Sequence, residues 1–179
     1  MKIGLIILLL TFVSSCELHN NRVAYIKITT LGFSPATTET PDGEPIQATG
    51  PIPGANLAIQ FYFDYERSGD GDPFEDGITN LNPIVKFQIW SAQTFSGRAP
   101  NTSLNTLFKN RLSFTPLVED GELEISTSVI SIDQQYPPKI GYLLSTNSTI
   151  TPGNYDLYFR CEFHDGSIIL DSIVNLEIE

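Results

Sequence analysis

The chain has 179 residues and a formal net charge of −11. An acidic balance of this size argues against a nucleic-acid-binding surface, which needs a basic stripe, and against a basic patch for anionic lipid. The 13 glycines, 12 prolines and 11% aromatic residues favour short strands joined by turns over long helices.

Residues 1–15 have the layout of an export signal. Lys2 supplies a positive charge, and residues 3–13 form an apolar run broken only by Gly4 and Thr11. This run is too short to cross about 30 Å of hydrocarbon, which needs about 20 apolar residues. Its length is typical of the apolar core of a secretory signal. We therefore predict that residues 1–15 are a signal peptide.

The signal ends in Val13, two serines and Cys16. This pattern resembles the lipobox of bacterial lipoproteins, which implies cleavage before Cys16 and acylation of its thiol and new amine. Bacteroidota surface lipoproteins often carry acidic residues next, and Glu17 matches this. We expect a lipid-anchored protein of the cell envelope, with the outer membrane or cell surface favoured and the leaflet open. The alternative is an ordinary signal peptide with a coincidental cysteine.

Behind the anchor, residues 16–21 form a polar tether and residues 22–179 a single domain. Removing 15 residues from 179 leaves 164, enough chain to bury a core. Cys161 is then the only cysteine besides Cys16, so no intrachain disulfide is available. Cys161 alternates with core residues, which predicts an inert buried thiol.

Alternating apolar and polar residues predict strands along this domain. The clearest is 57–65, with an apolar residue at every second position. The Pro-rich segment 32–56 is interpreted as a long loop with a short edge strand near Ile46. The one helix predicted lies within 96–111, where Ser103 would cap residues 104–109. Strands are predicted at 22–31, 57–65, 83–90, 112–118, 122–132, 141–145, 156–163 and 167–178.

The last thirty residues form the strongest fold signal. A Pro-Gly-Asn-Tyr turn ending at Tyr155 enters an alternating strand, and residues 164–166 turn the chain back. This resembles the last two strands of immunoglobulin-like sandwich domains, whose corner tyrosine bonds nearby backbone through its hydroxyl. The resemblance implies that role for Tyr155 and an immunoglobulin-like β-sandwich of seven or eight strands. The alternative is a plain β-hairpin with an aromatic residue at its mouth.

Residues 70–77 concentrate acidic side chains in a Gly-containing loop. Asp70, Asp72, Glu75 and Asp76 are the predicted calcium ligands. The loop resembles known calcium loops only in its Asp-x-Asp spacing, which lets alternate carboxylates converge on one ion. Phe74 stands where the helix–loop–helix calcium pattern has Asp or Asn, and the distant bidentate Glu is missing. The alternative is a solvated hairpin loop whose charges aid solubility. We predict no other cofactor.

Three aromatic residues fall on the polar faces of predicted strands: Tyr62, Trp90 and Tyr158. Exposed aromatic rings on a sandwich can stack on sugar rings or anchor a partner protein. They can equally lie under a loop or fill a second core layer. Trp90 and Tyr62 are the predicted binding residues, and one face that carries both is the predicted binding surface.

No catalytic constellation is evident in the sequence. Of the two histidines, His19 lies in the tether and His164 at a turn beside Asp165. No nucleophile elbow, phosphate loop, zinc spacing or dinucleotide fingerprint occurs. We therefore predict a non-enzymatic binding or assembly module that recognises a polysaccharide or an envelope protein. The alternative is a glycosidase-like hydrolase of the envelope that uses a pair of carboxylates.

Overall fold

The computed structural model describes residues 24–39, 44–69, 78–111, 117–119, 121–123, 139–146 and 150–179. Within these ranges the protein is all-β, with short 3-10 turns at Gly54–Asn56 and Asn105–Leu107. The described strands are β1 (Ala24–Thr38), β2 (Pro45–Gln47), β3 (Leu57–Ser68), β4 (Ile78–Asn80), β5 (Ile84–Ser91), β6 (Phe108–Asn110), β7 (Lys139–Ser145), β8 (Gly153–Phe163) and β9 (Ile168–Ile178).

Two sheets pack face to face as a β-sandwich. One has the order β2-β1-β3-β7-β6, with β4 also paired to β1, and the other has the order β5-β8-β9. The strand series β1-β3-β7-β6 and β5-β8-β9 follow the ABED and CFG order of an immunoglobulin constant-type domain. The predicted fold class is therefore confirmed. The described residues form nine strands, of which β2, β4 and β6 have three residues each. The predicted strands 112–118 and 122–132 lie largely outside the described residues.

The core lies between the two sheets and is rich in phenylalanine. Alternate residues of β3 and β8 point inward, as their period-two pattern predicts. The rings of Phe33 and Phe159 stack across the sandwich, with centroids 4.2 Å apart and planes at 6°. Cys161 is fully buried in this core, as predicted.

Strand β1 is longer than the sequence pattern predicts. It continues through Pro35 to Thr38, and its residues pair with β3 up to Thr37 opposite Leu57. Among the described strands, β2 and β4 pair with only the two ends of its other edge. Proline is tolerated on such an edge, where its missing N–H removes no ladder hydrogen bond. The predicted loop 32–56 is thus shorter, and the predicted edge strand at Ile46 is confirmed as β2.

The predicted helix at 104–109 is wrong. The chain makes one 3-10 turn at Asn105–Leu107 and then enters β6, which pairs with β7. Ser103 accepts a hydrogen bond from the Asn105 N–H at 3.3 Å, so it caps a turn rather than a helix. The buried Asn105 side chain binds the backbone of β5, which favours a tight turn against that strand over a helix.

Tyr155 is a corner tyrosine, as the family resemblance implies. Its buried hydroxyl donates a 2.7 Å hydrogen bond to the backbone carbonyl of Thr151. We expect Tyr155→Phe to lower the free energy of unfolding by about 0.5–1.5 kcal/mol, because it removes this one bond and keeps the ring. Denaturant melts of the two proteins measure the difference. An unchanged midpoint would mean that the hydroxyl contributes nothing to stability.

Candidate functional site

Two of the predicted sites lie outside the described residues. These are the lipidation site at Cys16 and the calcium loop with Asp70, Asp72, Glu75 and Asp76. Both stay predictions. In the ranges that the structure does describe, no three His, Cys, Asp or Glu side chains cluster as metal ligands would. Those same ranges hold no helix long and apolar enough to span a membrane.

The two predicted binding aromatics do not share a face. Tyr62 projects from β3 in the larger sheet, whereas Trp90 belongs to β5 in the smaller sheet. The interpretation that one face carries both is therefore wrong. Tyr62 is paired with Gly32 across the strands, and a Cβ atom on that glycine would lie 2.3 Å from the Tyr62 Cζ. Its ring thus covers a glycine in the neighbouring strand, a packing role that explains its position.

Trp90 forms an aromatic pair with Tyr158 on the outer face of the smaller sheet. The two residues are direct partners across β5 and β8. Their rings stack with centroids 5.7 Å apart and planes at 20°. Both side chains are half-buried. The pair therefore presents a broad aromatic surface that stays in contact with solvent.

A loop of residues 92–104 is fixed along the outer edge of β5. The Asn101 N–H donates to the Ser91 carbonyl at 2.7 Å, and the Leu104 N–H donates to the Ile89 carbonyl at 2.8 Å. Ser103 also forms an isolated bridge with Trp90. These backbone bonds hold the C-terminal end of the loop beside Trp90.

The N-terminal end of the same loop is held by Gln93 and Asp156. The Gln93 side chain donates to the Asp156 carboxylate at 3.1 Å and accepts from the Asp156 N–H at 3.0 Å. The Asn175 N–H, together with Gln93, holds the pKa of Asp156 below its ordinary value. Both ends of the loop are thus fixed to the sheet, so its position does not depend on a ligand.

Between this loop and the sheet lies an open cleft of about 270 Å³. It combines an indole ring, a guanidinium group, two amides and a hydroxyl around a small concave space. Such a mixture of one apolar surface and a few convergent polar groups is typical of small-ligand sites. The lining residues are Gln88, Ile89, Trp90, Asn101, Ser103 and Arg160.

The cation in this cleft is Arg160, from the centre of β8. Its Nη2 lies 3.4 Å from the Glu162 carboxylate, and the two side chains are 39% and 36% exposed. The Nε of Arg160 is shielded from solvent and has no hydrogen-bond partner among the described residues. Among the described residues, this guanidinium thus donates to Glu162 through Nη2, whereas its Nε donor is unused.

The described histidine and cysteine, His164 and Cys161, lie away from the cleft. His164 is exposed at the turn between β8 and β9. Burial, together with the charge of Asp171, raises the pKa of the Cys161 thiol above its ordinary value. A thiol kept protonated in the core is a poor nucleophile. Neither residue lines the cleft.

Sequence reasoning found Trp90 but missed the other cleft residues. Arg160 could have been placed beside it, because period two puts Gln88, Trp90 and Arg160 on the outer face of their own strands. No local pattern brings Asn101 and Ser103 to β5, since that depends on how the loop folds back. Comparison with models of protein families, with curated proteins and with solved structures finds no match to this chain.

Proposed function

We propose that this protein is a lipid-anchored binding module of the bacterial envelope that holds a carbohydrate in the cleft beside Trp90. The observation that carries the proposal is the cleft itself, where an indole face meets amide and hydroxyl groups. An aromatic ring can stack on the apolar face of a sugar. Amides and hydroxyls around it can donate to and accept from sugar hydroxyls.

The size of the cleft favours a carbohydrate over a protein partner. Pockets for small ligands measure about 300–1,000 Å³, and this cleft of about 270 Å³ lies at the lower end of that scale. One or two sugar rings would suit a space of this kind better than a folded surface. A chain of further sugars could leave the cleft through its open side.

The lining of the cleft favours binding over hydrolysis. A glycosidase needs two carboxylates about 5–9 Å apart on either side of the scissile bond. Among the residues that the structure describes, those that line the cleft include no carboxylate, and the nearby Glu162 contacts Arg160. The groups present can orient a sugar, but they do not supply a general acid and a base.

A glycan array probed with the folded protein tests the proposed function. We expect wild type to bind a subset of glycans and Trp90→Ala to bind them about thirtyfold more weakly, since truncating an aromatic anchor often costs 2 kcal/mol or more. Tyr25→Ala is the matched control, because Tyr25 is an exposed aromatic residue of the other sheet. Hydrolysis that disappears when one carboxylate is replaced would favour the hydrolase instead.

The anchor is tested separately in cells. We expect Cys16→Ala to lose all fatty-acid label and to retain its signal peptide, because the thiol is the acylation site that the lipobox implies. Several acyl chains, at about 0.8 kcal/mol per buried CH₂, would hold the domain at the membrane. Palmitate labelling and the mass of the mature chain provide the readout, with Cys161→Ala as the control. Equal labelling of wild type and Cys16→Ala would contradict the lipoprotein proposal.

A further inference from the structure

Arg160 is the feature of the cleft that a neutral sugar leaves unexplained. It lies at the centre of the outer face, paired with Gln88 on one side and Leu170 on the other. Among the described residues, Arg160 forms an ion pair only with Glu162, which lies 3.4 Å away and two residues further along the same strand. Exposed pairs of this kind contribute little to stability. The side chain is therefore not explained by a strong structural ion pair.

The hydrogen bonding of this guanidinium also points to a ligand. Its Nε is hidden from solvent and donates no hydrogen bond within the described part of the chain. A planar guanidinium binds a carboxylate best through two parallel N–H bonds, and such bidentate pairs are among the strongest polar contacts in proteins. A small rotation that brings Nε and one Nη onto a ligand carboxylate would satisfy the hidden donor as well.

We infer that the cleft is selective for an acidic saccharide, whose carboxylate pairs with Arg160 while a sugar ring stacks on Trp90. This inference rests on the proposed function and specifies its ligand class. Arg160 and Trp90 both line the same cleft, so one ligand of one or two sugar rings can contact both. Asn101 and Ser103 line the same cleft and can bind the sugar hydroxyls.

The net charge of the protein affects how it could bind an acidic ligand. A net charge of −11 repels an anionic polymer at a distance, although salt screens that repulsion beyond about 8–10 Å. An acidic ligand would therefore need a local cation in direct contact. Arg160 meets this requirement, and Glu162 is the internal carboxylate that competes for it.

Two substitutions with opposite expected effects test the inference. The probes are uronic-acid oligosaccharides and the same compounds after reduction of their carboxyl groups to alcohols, titrated by calorimetry into the folded domain. We expect wild type to bind the acidic form at least about tenfold more tightly. Arg160→Gln should remove that preference while it keeps the weaker binding of the reduced form. Glu162→Gln should raise affinity for the acidic form several-fold, because the competing carboxylate is gone.

A further variant keeps the test independent of folding defects. Arg160→Lys retains the charge but loses the fork, so we expect an intermediate preference for the acidic form. Equal affinity of wild type for both forms, or an acid preference that persists in Arg160→Gln, would overturn the acidic-ligand inference and leave carbohydrate binding intact. If wild type binds neither form nor any glycan on the array, the proposed function fails together with the inference.

Discussion

Asn105→Ala is expected to lower the free energy of unfolding by about 3–5 kcal/mol. The Asn105 side chain is 1% exposed and bonds to the backbone at the edge of β5. Its Oδ1 accepts from the Ile89 N–H at 2.8 Å, and its Nδ2 donates to the carbonyls of Phe87 and Val118 at 2.7 and 2.9 Å. Alanine would leave three backbone groups without their partner, and a stranded buried group costs about 1–3 kcal/mol.

Two further variants identify the cause of that loss. Asn105→Asp keeps the shape but offers no donor to the two carbonyls, so we expect it to be about as destabilising as alanine. Ser103→Ala removes only the 3.3 Å bond from the Asn105 N–H and should cost about 1 kcal/mol or less. Urea denaturation measures all three, with the midpoint and slope compared. Equal midpoints for Asn105→Ala and Ser103→Ala would show that the side-chain amide is not holding β5.

Phe33→Ala should cost about 3–5 kcal/mol, the range for deleting a buried phenylalanine ring. Phe33 belongs to β1, yet its ring packs on residues of the opposite sheet. It stacks on Phe159 at 4.2 Å and lies 5.7 Å from Phe87. Removing it opens a cavity where the two sheets meet, because close-packed neighbours relax only partly.

The control for Phe33 lies on the same strand. Tyr25→Ala removes an aromatic side chain that is 37% exposed and should change stability much less. Thermal and urea melts of both variants give the comparison. A Phe33→Ala protein with a midpoint within error of Tyr25→Ala would mean that the centre of the core lies elsewhere.

Local patterns predicted the strands that form the centre of the sandwich. β3 and β8 alternate strictly, because each has one face in the core and one toward solvent, and this alternation is visible without any neighbour. The corner at Tyr155 is equally local, since its hydroxyl reaches a carbonyl four residues upstream. These features depend on short stretches of chain, so the sequence alone is enough to find them.

The helix at 104–109 was mispredicted because its pattern is ambiguous. Leu104, Leu107 and Phe108 have helical spacing, but a 3-10 turn followed by a strand buries Leu104 and Phe108 and packs the partly buried Leu107 against the core. The choice between the two depends on Asn105 binding the backbone of β5. That contact joins residues distant along the chain, and no periodicity within the segment reports it.

The candidate site shows the same division between local and tertiary information. Period two correctly predicted that Trp90 and Tyr62 lie on the outer faces of their strands. It could not assign each strand to a sheet, so the two residues were wrongly placed on one surface. The cleft itself arises where the loop 92–104 bonds to β5, which only the folded chain brings about.

The most direct test of carbohydrate binding uses Trp90 as its own reporter. It is the one tryptophan of the chain, so intrinsic tryptophan fluorescence reports on this cleft alone. We expect a glycan that binds on the array to change the emission saturably, with a midpoint that equals the Kd from calorimetry, and to protect Trp90 from acrylamide quenching. Binding detected by calorimetry with no change in Trp90 emission or quenching would contradict the account and place the ligand elsewhere on the protein.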